Sequence, residues 1–152
     1  MNSRIHLIMH APVERIFALA SNVERWPQIL PHYRYVTRLT DHDGEARYAM
    51  GARRGPIPVK WEAILRPMPD EHRIEFVHTG GVTKGMWVAW RFEKHAGSTD
   101  VSIEHRLELG WPLIGEFAAR HVIGPQFIEA IAGRTLRRVK ELAEADAGSA
   151  AG

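Results

Sequence analysis

Along Val59–Arg66, residues Val59, Trp61, Ala63 and Leu65 fall on one side, and Lys60, Glu62, Ile64 and Arg66 on the other. A period of two predicts a β-strand with one buried face. The same alternation places Ala46, Tyr48 and Met50 on a buried side, then Ile74, Phe76 and His78, then Met86, Val88, Trp90 and Phe92, then Val101, Ile103, His105, Leu107 and Leu109. The opposite sides carry Arg47, Arg73, Glu75, Arg91, Glu93, Glu104, Arg106 and Glu108. A filled core favours Val, Ile and Leu. Here Trp, Tyr and His recur on the buried side, which suits a concave pocket with a few fixed polar groups.

Elements of other periods flank these strands. Ser3–His10 reads as a first strand, and Ala11-Pro12 opens a helix with proline at its first position. Val13, Ile16, Phe17 and Ala20 form one apolar stripe to about Ser21, and Asn22–Pro31 reads as a short second helix bracketed by prolines. Strands follow at roughly 33–40, 45–51, 57–66, 71–79, 84–94 and 100–110, separated by Asp41–Gly44, Gly55-Pro56, Pro67–Asp70, Gly80-Gly81 and Ala96–Ser98. Such short gaps predict antiparallel neighbours. From Pro112 the pattern is helical, interrupted at Gly124-Pro125. A long last helix then carries Ile128, Ile131, Ala132, Thr135, Val139 and Leu142 on one face. The fold class is therefore α+β: a curved seven-stranded antiparallel sheet wrapped around a long C-terminal helix, with two short helices between strands 1 and 2 and an internal hydrophobic cavity. Its mouth is expected near Trp26–Tyr33, Gly80–Gly85 and Gly124-Pro125. One domain over 1–145 is expected, with a flexible tail at 146–152 in an Ala/Gly-rich stretch that begins at Ala143.

Composition narrows the classes of function. A net charge of +2, from 20 basic and 18 acidic residues, gives no reason to invoke nucleic acid. Arg134, Arg137, Arg138 and Lys140 cluster locally, are offset by Glu141 and Glu144, and read as a solvated helix face. The absence of cysteine excludes disulfides and thiolate chemistry. No apolar run approaches the ~20 residues that span a bilayer, so the cytoplasm is the expected location. His6 and His10 would stand ~13 Å apart on a strand. No His-Glu-x-x-His, Gly-x-Ser-x-Gly or Gly-x-Gly-x-x-Gly occurs. No metal and no cofactor is expected. Monomer and homodimer both remain open.

The order of elements, with Ala11–Phe17 after the first strand and Glu24-Arg25-Trp26-Pro27 in the second helix, resembles the helix-grip superfamily of START and pollen-allergen-like proteins (SRPBCC). It is most similar to bacterial polyketide cyclase/dehydratase (aromatase/cyclase) proteins. Trp26-Pro27 followed by Tyr33 matches their Trp-Pro…Tyr segment. The resemblance spans about 3–142 and implies a hydrophobic, aromatic or polyketide-like ligand and cyclisation or dehydration chemistry. One departure stands out. The family's pocket arginine, four residues beyond the tryptophan matched by Trp61, is Leu65 here. Arg66 is one residue on, and on the alternation faces outward. The alternative is a non-catalytic quinone or lipid carrier of the coenzyme Q-binding type.

The candidate catalytic groups are Tyr33, which the resemblance implies in the pocket, and His78 and His105 on the inward faces. A phenol can hold a carbonyl or donate a proton, and a neutral imidazole can accept one. The candidate ligand contacts are Trp26 at the rim, Tyr48, Met50, Trp61, Leu65, Phe76, Met86, Trp90 and Leu107 on the strands, and Phe127, Ile131 and Thr135 at the last helix.

Overall fold

The computed structural model describes residues 2–41, 43–81, 83–107 and 130–151, with side chains to Ala145. The chain begins with β1 (Asn2–Met9) and α1 (Val13–Ser21). A 3-10 turn (Val23–Arg25) and α2 (Trp26–Ile29) follow. Six strands come next: β2 (Tyr33–Arg38), β3 (Ala46–Arg54), β4 (Ile57–Met68), β5 (Arg73–Gly81), β6 (Trp87–His95) and β7 (Ser98–Arg106). The last described element is α3 (Gly133–Ala151). The seven strands form one antiparallel sheet in the order β1-β7-β6-β5-β4-β3-β2. The expected meander is present, with β1 beside β7 and with α1 and α2 crossing from one edge strand to the other.

The alternation sets the inner face closely. Trp61, Ala63, Leu65, Ile74, Phe76, His78, Met86, Val88, Trp90, Phe92, Val101, Ile103, His105 and Leu107 are all buried. Ile64, expected outside by parity, is buried too. The outer face is a lattice of ion pairs. Arg66 donates through Nε and Nη2 to the two carboxylate oxygens of Glu45. Arg73 meets Glu71 and Glu75, Arg106 and Arg91 meet Glu104, and Arg106 also lies over the Trp87 ring.

The helices show three local differences. Pro12 is not the first helical residue: its extended ψ of 142° makes it the N-cap, the half-in position at which the chain turns from β1 into α1. On α3 and the turn before it the buried stripe is Ile131, Thr135, Leu136, Val139 and Ala143, while Leu142 is only half-buried. That face is rotated relative to the expected one. A π-helical turn at 130–132 leads into α3, and the helix continues to Ala151. Its far end is pinned to β1: Glu144 accepts from the His10 backbone N–H at 2.9 Å, and Lys140 donates to the Ile8 carbonyl at 2.9 Å. Phe127, Ile128, Trp111, Leu109 and the Gly124-Pro125 break lie outside the described residues.

Candidate functional site

Two bulges aim the polar side chains of the concave face. Tyr33 pairs with Ala52 and Tyr35 with Gly51, so Arg34 is an extra residue in β2. In a regular strand without the bulge, residues 33 and 35 would share a face. With it, Tyr33 turns inward and is 7% exposed, while Tyr35 lies outside over Gly51, where a Cβ would run into its ring. The second bulge is at Thr79 in β5, between the pairs Glu62–Gly80 and Ala63–His78. Beyond it Gly81 takes φ +90°, and a Cβ there would come within 2.6 Å of the Lys60 carbonyl oxygen. No bulge falls near Leu65 and Arg66 in the β3–β4 pairing. Leu65 therefore points inward and Arg66 outward, and the arginine is held outside by Glu45.

The inward rings touch in a chain. His32 meets Tyr33 edge-on at 4.9 Å between centroids, Tyr33 meets Trp26 at 5.1 Å and Trp61 at 5.9 Å, and Trp61 stacks on His78 at 6.0 Å. Trp26 continues to Phe76 and Trp90, and its Nε1 donates to the Leu19 carbonyl at 3.1 Å. It thus both lines the site and ties α2 to α1.

Polar groups set among these rings are kept uncharged. His78 holds the Thr83 hydroxyl through Nδ1 at 2.8 Å; burial, and then the nearby His105 ring, push its pKa down to about 3. Burial alone lowers His105 to about 4, and its Nδ1 is buried with no hydrogen-bond partner. Tyr33 is raised by burial, so its phenol keeps its proton. The Thr135 hydroxyl donates to the Ile131 carbonyl at 2.8 Å and lies 2.8 Å from Nε2 of His32. Its one proton being used, Thr135 accepts from His32. Burial and the adjacent Arg134 lower His32 to about 4.

These groups surround a hollow of about 40 Å³, bordered by Trp26, Tyr33, Met50, Trp61, Phe76, His78, Val88, Trp90, Ile103, His105, Ile131, Ala132 and Thr135. That admits a few water molecules at ~10–15 Å³ each, against roughly 300–1,000 Å³ for ligand pockets. Among the described residues the expected internal cavity is therefore only a small hollow, with Trp26, Tyr33 and Thr135 at its border. Tyr48, Leu65, Met86 and Leu107 are buried on the same face but do not border the hollow. The Tyr48 hydroxyl instead donates to Glu24 Oε1 at 3.4 Å. His32 and Thr83 enter the polar network without a period to mark them. The polar Thr135 on an apolar helix face was the available hint of a buried partner.

One group among the described residues could hold a metal: Glu93, His95 and Asp100, on β6 and β7, the first two of them exposed. None of these borders the hollow. Among the described residues no helix is long and apolar enough to cross a membrane.

A family model described as polyketide cyclase / dehydrase and lipid transport matches residues 9–123. The chain belongs to this family. No curated protein matches its sequence. The fold is similar to that of the Zhui aromatase/cyclase from Streptomyces sp. R1128, at 17% identity and TM-score 0.77, covering 95% of this chain and 93% of that one. The di-domain ARO/CYC BexL from the BE-7585A biosynthetic pathway matches at 22% identity and TM-score 0.77, with 95% of this chain and 50% of that one covered. A START superfamily protein from Mycobacterium smegmatis matches at 16% identity and TM-score 0.65, covering 93% and 98%. At these identities the likenesses concern the fold. It is the helix-grip arrangement that the order of elements suggests.

Proposed function

We propose that the concave face binds an uncharged, hydrophobic, aromatic or polyketide-like molecule and acts on it as a cyclase/dehydratase-like protein. The observation that carries this reading is the His105 imidazole, buried among aromatic rings with Nδ1 unpartnered. A filled core gains nothing from such a group, since a buried polar atom without a partner costs about 1–3 kcal/mol. A ligand carbonyl or hydroxyl would repay it. Membership of the polyketide cyclase / dehydrase and lipid transport family supports the same reading.

Among the described residues no charged side chain borders the hollow, so a carboxylate beside them would be desolvated and unpaired. The rings of Trp26, Trp61 and Trp90 would hold a flexible chain folded so that its reacting carbons meet, and such positioning alone accelerates a condensation. Tyr33 would donate a hydrogen bond to a carbonyl. His78 and His105, neutral at pH 7, would accept protons weakly.

A second reading, a carrier for a quinone or lipid, is favoured by Leu65 in the place of the family's arginine and by those low imidazole pKa values. Titration calorimetry with a planar polyphenol and product analysis of a reactive poly-β-ketone test both. For a cyclase, Tyr33→Phe is expected to lower turnover about tenfold or more while affinity changes little. For a carrier, the product distribution is the same with and without protein. If neither a polyphenol, a quinone nor a lipid binds, the ligand-binding reading falls.

A further inference from the structure

A second cleft, of about 430 Å³, lies between α1, the 3-10 turn, α2 and α3. It has about ten times the volume of the central hollow and the size of a small-molecule site. Leu19, Ile29 and Leu142 give it apolar walls, and Arg15 and Arg25 give it two guanidiniums. The turn of α3 that leaves Leu142 half-buried places that side chain here.

The chemistry of the cleft is unbalanced. Nη1 of Arg15 is shielded from solvent and has no hydrogen-bond partner among the described residues. A guanidinium cannot shed its proton to escape this, so the group calls for an acceptor. Three carboxylates of the elements around the cleft are engaged elsewhere: Glu24 with Tyr48, Glu141 with Arg138, and Glu144 with Lys140 and the His10 N–H. Among the described residues neither Arg15 nor Arg25 has an ion-pair partner, and no acidic side chain lines the cleft. Arg138, from the basic cluster of α3, is also occupied, since its Nε donates to the Ile29 carbonyl at 3.1 Å.

We propose that this cleft binds an amphipathic oxyanion, its carboxylate or phosphate head held by Arg15 and Arg25 and its acyl or aryl tail laid over Leu19, Ile29 and Leu142. Guanidiniums suit such heads because they bond both oxygens at once. An inorganic anion would leave the apolar walls wet, and an uncharged lipid would leave Arg15 unpaired. The cleft thus takes a different chemistry from the central hollow, which has no charged lining residue among the described residues.

The test is titration calorimetry on the whole chain with decanoate, decyl phosphate, decanol and inorganic phosphate, with the site located by NMR. Decanoate or decyl phosphate is expected to bind one to one, shifting the Leu142 methyls and leaving the Trp61 indole unmoved; which of the two binds more tightly identifies the head. Decanol and inorganic phosphate are each expected to bind at least about tenfold more weakly, and Arg15→Gln to weaken the anion about tenfold. Arg25→Gln, at an exposed position, is expected to weaken it severalfold and keeps the test valid if Arg15→Gln fails to fold. Equal binding of decanoate and decanol, shifts at Trp61 rather than Leu142, or no binding of either anion at millimolar concentration would overturn the proposal.

Discussion

The two faces of the β4–β7 sheet are built from alternate residues of the same strands, yet they handle polar groups in opposite ways. On the convex face full charges are kept and matched, arginine against glutamate, as in Arg66–Glu45 and Arg106–Glu104. On the concave face charge is removed instead: His78 and His105 are held neutral, and beside that face His32 is neutral and Tyr33 keeps its proton. Water pays for the outer arrangement, because exposed pairs are screened and contribute little. The inner arrangement is possible only because each group has a neutral form. The difference shows where uncharged polar groups can be held in an aromatic setting.

Acid should break the contrast most strongly. Both inner imidazoles lie below their ordinary value of 6.5, at about 3 for His78 and about 4 for His105. Between pH 6.5 and about 4 the unfolded chain takes up protons that the folded chain refuses, so stability falls as pH falls. The slope is roughly 1.4 kcal/mol per pH unit for each ring. Urea unfolding at pH 7 and pH 5 measures it, and His105→Asn should reduce the slope. Trp61→Ala should come next. It removes a ring 4% exposed that contacts Tyr33 and His78, at a cost of about 3–5 kcal/mol in the same assay. Gly81→Ala, at φ +90° against the Lys60 carbonyl, should cost about 1–3 kcal/mol and shift the amide signals of β4 and β5. The smallest effect belongs to the convex face: Arg66→Ala should cost no more than about 1 kcal/mol, and less in high salt.

Much of the sheet was legible because its period is local. Each inward residue from Trp61 to Leu107 follows from its neighbours two positions away. Register shifts are not local, so the extra residues Arg34 and Thr79 could not be read from the alternation. The inward placement of Tyr33 came from the Trp26-Pro27…Tyr33 resemblance rather than from periodicity. His32 escaped because it lies between a proline and the first residue of β2, where no period runs. The size of the hollow depends on how side chains from separate elements, Tyr33, Ile131 and Thr135 among them, pack together, a tertiary quantity with no sequence signature. For the same reason the arginine cleft was invisible: Arg15, Arg25 and Leu142 come from three separate elements that share no pattern.

The central claim is that the concave face holds neutral polar groups ready for an uncharged ligand. Ring ¹⁵N NMR of His105, with and without a planar polyphenol, tests it directly. A ring that stays neutral down to about pH 4, and whose nitrogen signals move when the ligand is added, is the result this account predicts. A ring that titrates near 6.5, or stays unmoved while the ligand binds, would contradict it.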